Sequence, residues 1–212
     1  MKNILSIDFD IVMAPDINLY NALVGGEFNK TIDDLIEHHN FLENVRMDYE
    51  HYNKLFLLLL DLVKYLNPED VRISYNHEDI KYMLQNDMDL VVYNIDHHHD
   101  LNYKEEDDLI KCPICSCANW AKYFLENGNI SRYIWIKNSN SIPKKDLYKF
   151  TWGEKIETRD LIKIDSLVTS LPKIDKLFIC LSPEWVPKKY HSLFYLMIDY
   201  LNKELNTHFT IY

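Results

Sequence analysis

The chain has 212 residues, of which 47% are hydrophobic and only four are glycine. This length and apolar content are enough to bury one core, so we expect a single domain spanning residues 1–212. The formal net charge is -10 at pH 7, which argues against nucleic acid or an anionic membrane as a partner, because both would repel the protein. An acidic surface is compatible with a cationic substrate.

The apolar stretches are too short for membrane insertion or export. The longest, residues 55–60, is followed by Asp61 and falls far short of the ~20 residues that span a bilayer. The N-terminal stretch soon reaches Asp8 and Asp10 and lacks a signal-peptide pattern. We therefore expect a cytoplasmic protein in which a disulfide framework is absent.

Apolar runs that end in polar residues predict the strands. They lie at residues 4–9, 71–75, 90–95, 132–136 and 176–181. Helical patterns separate them, including one over residues 31–66 and another that ends near residue 205, before a short apolar run at 209–212. This alternation predicts a three-layer, doubly wound α/β fold with a mostly parallel sheet. Ligands bind such sheets beyond the carboxyl ends of the strands.

The segment Asp96-His97-His98-His99-Asp100 directly follows the predicted strand at 90–95. Alternate side chains share one face of an extended chain, so Asp96, His98 and Asp100 converge if the extended geometry persists. Carboxylates around an imidazole suit Mn²⁺ or a similar divalent ion better than a metal that prefers thiolates. The alternative is a solvated polar loop.

Two further strand ends carry potential ligands. Asp8 and Asp10 follow the first apolar run, and two buried carboxylates side by side are costly unless a cation neutralises them. Alone, this pair is also compatible with a helix cap or a magnesium-dependent phosphatase motif. His77 follows the predicted strand at 71–75, where a structural role is the alternative to metal binding.

Together these residues resemble the arginase-type ureohydrolases, which carry a histidine after one strand, Asp-x-His-x-Asp after another and Ser-x-Asp-x-Asp after a third. The candidate ligands here are Asp8, Asp10, His77, Asp96, His98 and Asp100. The resemblance is closer still to the small peptide arginases, which convert arginine to ornithine within ribosomally made peptides. Further similar passages are Asn119-Trp120 and residues 133–135, 178–187 and 209–212. In ordinary arginases Asp-x-Asp comes last in the chain, whereas here it comes first.

The resemblance implies a site with two divalent ions, expected to be Mn²⁺. One ion would bind Asp8, His77, Asp96 and Asp100, and the other Asp8, Asp10, Asp96 and His98. The resemblance also implies that Asp100 holds and transfers the proton. The chain offers no matched position for the proton-shuttle histidine of arginases, and His97 and His99 are the unsupported candidates.

Substrate recognition is expected from the loop after the last predicted strand. Glu184 lies there between Pro183 and Pro187, which stiffen the loop, and a carboxylate can accept the N–H groups of a guanidinium. An exposed glutamate without a role is the alternative. Trp185 is expected to offer an aromatic face to the cation, as is Trp120. The substrate-binding candidates are Glu184, Asn119 and Trp185, and the catalytic candidates are Asp100 and Glu184.

A cysteine cluster follows the histidine-rich segment. It comprises Cys112, Cys115 and Cys117. A zinc or iron–sulfur site would need a fourth ligand, for which only His97, His99 or Cys180 remain. A group of reduced thiols on a loop is the alternative.

The function expected from these features is hydrolysis of a guanidinium group in an arginine-containing peptide. A small guanidino compound is the nearest alternative substrate. A binding or regulatory protein that retains the fold without turnover is a second hypothesis. A third is another metal-dependent hydrolysis, such as deacetylation, which requires a tyrosine placed to polarise a carbonyl group.

Overall fold

The computed structural model describes residues 1–14, 45–102, 114–139, 141, 147–161 and 171–212. Eight strands lie in these ranges: β1 Asn3–Asp8, β2 Met13–Ala14, β3 Arg46–Met47, β4 Val71–Ser74, β5 Leu90–Ile95, β6 Ile130–Lys137, β7 Ile156–Asp160 and β8 Lys176–Cys180. Six of them form one sheet in the order β4-β8-β1-β5-β6-β7, and all neighbours run parallel. The remaining pair, β2 and β3, is antiparallel. The predicted α/β fold with a mostly parallel sheet is confirmed.

The α-helices of the described residues are α1 Tyr49–Leu62, α2 Lys81–Leu84, α3 Trp120–Glu126 and α4 His191–Glu204. Asp48 starts α1, because its Oδ1 accepts hydrogen bonds from the backbone N–H groups of Glu50 and His51 at 3.0 and 3.1 Å. Leu55, Leu58 and Leu59 of α1 are buried, which is the spacing of one helix face. Within the described ranges, no helix is both long and apolar enough to cross a membrane.

The helices cover both faces of the sheet. Leu5 and Ile7 of β1 pack in one core with α1 and α4, whereas Ile4 packs in a second core with α2 and α3. Successive strand residues point to opposite faces, so the central strand contributes to both cores. The described residues therefore form a helix layer, a sheet and a second helix layer.

Most of the predicted elements are present, and the structure differs from the prediction at residues 45–48 and at β7. Residues 31–44 of the predicted 31–66 helical region lie outside the described residues. Residues 45–48 of that region are not helical, because Arg46–Met47 pairs with Met13–Ala14 and Asp48 caps the helix that follows. The second correction is β7, which the sequence did not predict. Of the terminal run at 209–212, Ile211 forms a bridge with Ile73 of β4.

The topology brings distant segments to one edge of the sheet. Strand β1 lies between β5 and β8, and β4 lies beyond β8. Because the six strands are parallel, their carboxyl ends share that edge whatever their order in the chain. Asp8 ends β1, Asp96 follows β5, and His77 follows β4, so all three approach one another there.

Candidate metal centre

The six predicted metal ligands lie together at the carboxyl edge of the sheet. After β1, the 3₁₀ helix Phe9–Val12 turns the chain, and the Asp10 backbone N–H donates to Asp8 Oδ1 at 3.3 Å. None of the six residues is more than 8% exposed. Their side chains are therefore shielded from bulk water and depend on one another for electrostatic balance.

His77 lies at the centre of the first group. Its Nδ1 is 3.2 Å from one oxygen each of Asp8, Asp96 and Asp100. Its Nε2 is 2.9 Å from Ser6 Oγ. A proton on Nε2 that is donated to Ser6 leaves Nδ1 with a lone pair directed at the three carboxylates, which is the arrangement of a metal-binding histidine.

His98 forms a second group. Its Nδ1 is 2.8 Å from Asp10 Oδ2 and 3.7 Å from Asp96 Oδ1. Asp96 is thus shared between the groups, since its Oδ2 approaches His77 and its Oδ1 approaches His98. A carboxylate with one oxygen in each group has the geometry of a bridging ligand.

The spacing and the charge of the donor atoms fit divalent cations. In each triad, Asp8-His77-Asp96 and Asp10-Asp96-His98, one ligand atom per residue lies within 4.8 Å of the others. Two atoms bound to one cation at about 2.0–2.3 Å are at most about 4.6 Å apart, so little adjustment is needed. Four carboxylates carry four negative charges, which two divalent cations would neutralise. In the described part of the chain, the aspartates of this cluster form ion pairs only with His77 and His98.

Crowding of these carboxylates perturbs their titration. Burial, with the adjacent Asp8, raises the pKa of Asp10 to about 7. Burial and the charge of Asp96 also raise the pKa of Asp100 well above 3.8. Burial lowers the pKa of His77. The surrounding carboxylates, of which Asp100 has the largest effect, raise it more and hold this pKa well above 6.5. Without cations the cluster therefore retains protons, which metal binding would displace.

The three consecutive histidines have different environments. The backbone N–H of His98 donates to Asp96 Oδ1 at 2.8 Å, so the loop backbone holds the Asp96 carboxylate. His97 Nδ1 is 2.8 Å from Ser141 Oγ, and burial lowers the pKa of His97 to about 3. His99 Nδ1 accepts the Leu101 backbone N–H at 3.1 Å. These contacts give no support to His97 or His99 as a proton shuttle.

One expectation about this loop was correct in its outcome but wrong in its geometry. Alternation along an extended chain predicted that Asp96, His98 and Asp100 converge. Asp100 instead has a φ of 52°, in the left-handed region that non-glycine residues rarely adopt. Its carboxylate oxygen lies 3.2 Å from His77 Nδ1 in this conformation.

A buried polar network orients Asp96. Asn94 Nδ2 donates to Asp96 Oδ2 at 3.0 Å and to Tyr133 Oη at 2.9 Å. Tyr133 Oη donates to the backbone oxygen of His99 at 3.1 Å, and Trp135 Nε1 donates to that of Asp96 at 2.9 Å. Sequence reasoning missed these residues, although a polar Asn94 in an otherwise apolar strand was an available signal.

Two further side chains hold the ligand carboxylates. Trp120 Nε1 donates to Asp100 Oδ2, and Ser182 Oγ donates to Asp8 Oδ2, both at 2.6 Å. Trp120 was predicted as an aromatic face for the substrate, and the structure gives its indole N–H a different role. Ser182 has a φ of 47°, a conformation whose strain is typical of functional sites. The sequence offered no signal for Ser182.

The loop after β8 lies beside the candidate metal centre. The Trp185 ring centroid is 4.5 Å from that of His98, with the planes tilted by 50°, so this predicted substrate-binding residue adjoins the metal centre. Glu184 is exposed. Burial raises the pKa of Cys117, and the carboxylates of Asp100 and Glu184 raise it further. Glu184 is thus an exposed carboxylate on the same loop as Trp185.

The loop before α3 contains the remaining predicted site residues. Asn119 Oδ1 accepts the Ser116 backbone N–H at 2.8 Å, and its Nδ2 donates to the Ile114 backbone oxygen at 3.3 Å. Both groups shape the loop, and substrate binding by Asn119 stays a prediction. Cys112 lies outside the described residues, and Cys115 and Cys117 are free thiols. Neither metal-ligand group of the described residues includes a cysteine.

Comparison of the chain with protein-family models, curated sequences and solved structures gave no match in any of the three. The functional interpretation therefore depends on the residues and their geometry. The comparisons leave the resemblance to arginases untested.

Proposed function

We propose that the protein is a binuclear metal hydrolase that converts arginine side chains of a peptide to ornithine and urea, on a fold of the arginase–deacetylase type. The observation that carries this proposal is the sharing of Asp96 between two buried triads. A single-ion site would not require a carboxylate with one oxygen directed at each of two histidines.

The donor set suits two divalent cations, which we expect to be Mn²⁺, because carboxylate oxygens and imidazoles favour such ions over softer metals. The ligands would be Asp8, Asp10, His77, Asp96, His98 and Asp100. When bound, two adjacent cations supply Lewis acidity and lower the pKa of water toward neutrality. Ser6 orients the His77 ring, and Asn94 orients Asp96.

Proton transfer is assigned to Asp100. Its Oδ2 accepts the Trp120 indole N–H at 2.6 Å, which fixes the carboxylate beside His77. We infer that Asp100 receives the proton lost by the attacking water and delivers it to the leaving nitrogen, the role that the arginase resemblance implies. Trp120 keeps the acceptor oxygen in place throughout.

Substrate recognition is assigned to Glu184 and Trp185. Glu184 is the exposed carboxylate of the turn formed by residues 182–185, in which the Trp185 backbone N–H donates to Ser182 O at 2.9 Å. A carboxylate can accept two parallel N–H groups of a planar guanidinium. An exposed carboxylate is accessible to a side chain that is still attached to a peptide.

Deacetylation has less support. The Tyr133 hydroxyl is close to the cluster, but it donates to His99 O and accepts from Asn94. It is fully buried. This tyrosine is therefore committed to the loop structure and is not placed to polarise a substrate carbonyl.

The proposal is tested by incubating the Mn²⁺-loaded protein with an arginine-containing peptide and measuring urea, with mass spectrometry to detect ornithine. The matched control peptide carries lysine in place of arginine, and free arginine is assayed in parallel. We expect urea and ornithine from the arginine peptide alone. Release from free arginine only would assign a small guanidino substrate. Metal binding without any urea would identify a catalytically silent protein.

A further inference from the structure

A pocket of about 600 Å³ lies beside the edge strand β4, and none of its lining residues is a candidate metal ligand. Its walls come from β4, α2, the start of β8 and the C-terminal segment. They include Arg72, Tyr82, Met83, Lys176, Phe209 and Tyr212. We call this cavity the β4 pocket, and its volume is within the range of sites for small organic molecules.

Arg72 is the unusual residue of the β4 pocket. Its guanidinium carbon is 4.5 Å from the Tyr82 ring centroid and 4.3 Å from that of Tyr212. Both distances are those of cation–π contacts, which hold the guanidinium against the two rings. The position of the charged group is thus fixed before any ligand arrives.

This guanidinium has no acidic partner among the residues that the structure describes. Arg72 Nε is buried and has no hydrogen-bond acceptor. Glu69 lines the same pocket, yet it forms no ion pair with Arg72. A buried N–H without an acceptor is unfavourable.

Lys176 places an ammonium group at the wall of the pocket, where it is paired with Asp87. Its Nζ donates to the Met83 backbone oxygen at 3.3 Å and to Asp87 Oδ2 at 2.8 Å, which holds the ammonium at the wall. The same walls contain Thr207 and Thr210, whose hydroxyl groups can donate hydrogen bonds. The polar lining therefore favours an anion.

We propose that the β4 pocket binds a small organic anion whose carboxylate or phosphate accepts hydrogen bonds from Arg72. The planar N–H groups of an arginine match both oxyanions. An apolar or aromatic part of the ligand would lie against Met83 and Phe209. The proposal is independent of the proposed hydrolase activity, because no residue of the metal centre takes part.

The test is calorimetric titration of the intact protein with benzoate, phenyl phosphate and the uncharged control benzamide. We expect at least one of the two anions to bind saturably, and benzamide to bind at least about tenfold more weakly, because it lacks the charge that Arg72 recognises. Preference for benzoate or for phenyl phosphate distinguishes a carboxylate ligand from a phosphate ligand.

Two variants locate the binding. Arg72→Gln removes the charge, and Lys188→Gln removes an exposed charge on a 3₁₀ turn away from the pocket; circular dichroism checks that both variants fold. We expect Arg72→Gln to weaken anion binding at least about tenfold and Lys188→Gln to leave it unchanged. The proposal is overturned if neither anion saturates the parent protein, if benzamide binds equally well, or if folded Arg72→Gln keeps the parent affinity.

Discussion

Aspartates at the two ends of the sheet have opposite surroundings. Near the amino ends of the strands, Asp87 accepts hydrogen bonds from Lys2 and Lys176, both at 2.8 Å. These bonds lower the pKa of Asp87, and the bond from Lys176 has the larger effect. At the carboxyl ends, burial and the charge of Asp8 raise the pKa of Asp10 to about 7, although His98 acts in the opposite direction.

The difference shows which carboxylates the chain neutralises itself. Asp87 has two lysines and needs no external ion. The described aspartates of the metal centre have only His77 and His98 as cationic partners. Buried charge without a counter-charge is costly, so the excess of carboxylates among the described residues of this cluster supports the proposal that it binds cations from solution.

The largest effect is expected from Asp96→Asn. A neutral amide removes one negative charge and the oxygen pair shared by the two triads. Both metal content and turnover should therefore fall by more than about 100-fold, a larger loss than mutation of a residue that only supports a ligand typically causes. Metal analysis after desalting and urea release measure the two effects. Asp87→Asn makes the same chemical change at the other end of the sheet and should leave both intact. Full metal content and activity in Asp96→Asn would exclude the bridging role.

Glu184→Gln should separate recognition from metal binding. We expect both metals to remain and kcat/KM for the arginine peptide to fall on the order of 100-fold, because an amide cannot replace the charged acceptor of the guanidinium. Paired metal analysis and urea assays provide the measurement. Parent-like rates would show that Glu184 is a surface residue without a catalytic role.

Ser182→Ala tests a residue that acts through a ligand. Loss of the 2.6 Å hydrogen bond to Asp8 Oδ2 frees that carboxylate to rotate, so Mn²⁺ affinity in a calorimetric titration should fall about 10- to 100-fold. Ser131→Ala removes a hydroxyl that donates to Leu90 O outside the site and is the matched control. Equal affinity in parent and Ser182→Ala would contradict this positioning role.

The two ends should also respond oppositely to pH in the metal-free protein. The folded-state pKa of Asp10 is raised from 3.8 to about 7, so its stabilisation is present below pH 3.8 and is lost as the pH rises through about 7. Asp87 has a lowered pKa, so its stabilisation is present above pH 3.8 and is lost on acidification.

Thermal unfolding between about pH 5 and 8 measures this difference. Because the lowered pKa of His97 acts in the opposite direction, the effect of Asp10 is read as the difference between the parent and Asp10→Asn. Relative to Asp10→Asn, the metal-free parent should lose stability as the pH rises, and Mn²⁺ at the upper end should restore it. A difference between the two proteins that does not change with pH would contradict the electrostatic account of the cluster.

The sequence predicted the clustering of the candidate metal ligands better than the contacts that support them. Strand ends of a parallel sheet meet at one edge regardless of chain order, so Asp8 and Asp96 could be paired from pattern alone. Ser182 and Asp8 are 174 residues apart, and no local pattern indicates such a contact. Strand β7 was not predicted because its sequence, IETRD, is mostly polar. The strand lies at the edge of the sheet.

The most direct test of the central claim is a crystal structure of the Mn²⁺-loaded protein with anomalous scattering data at the manganese edge. The account predicts two manganese peaks in one cavity, the first bound by Asp8, His77 and Asp96, and the second by Asp10, Asp96 and His98, with Asp96 contacting both. A single peak, or peaks away from these residues, would contradict it.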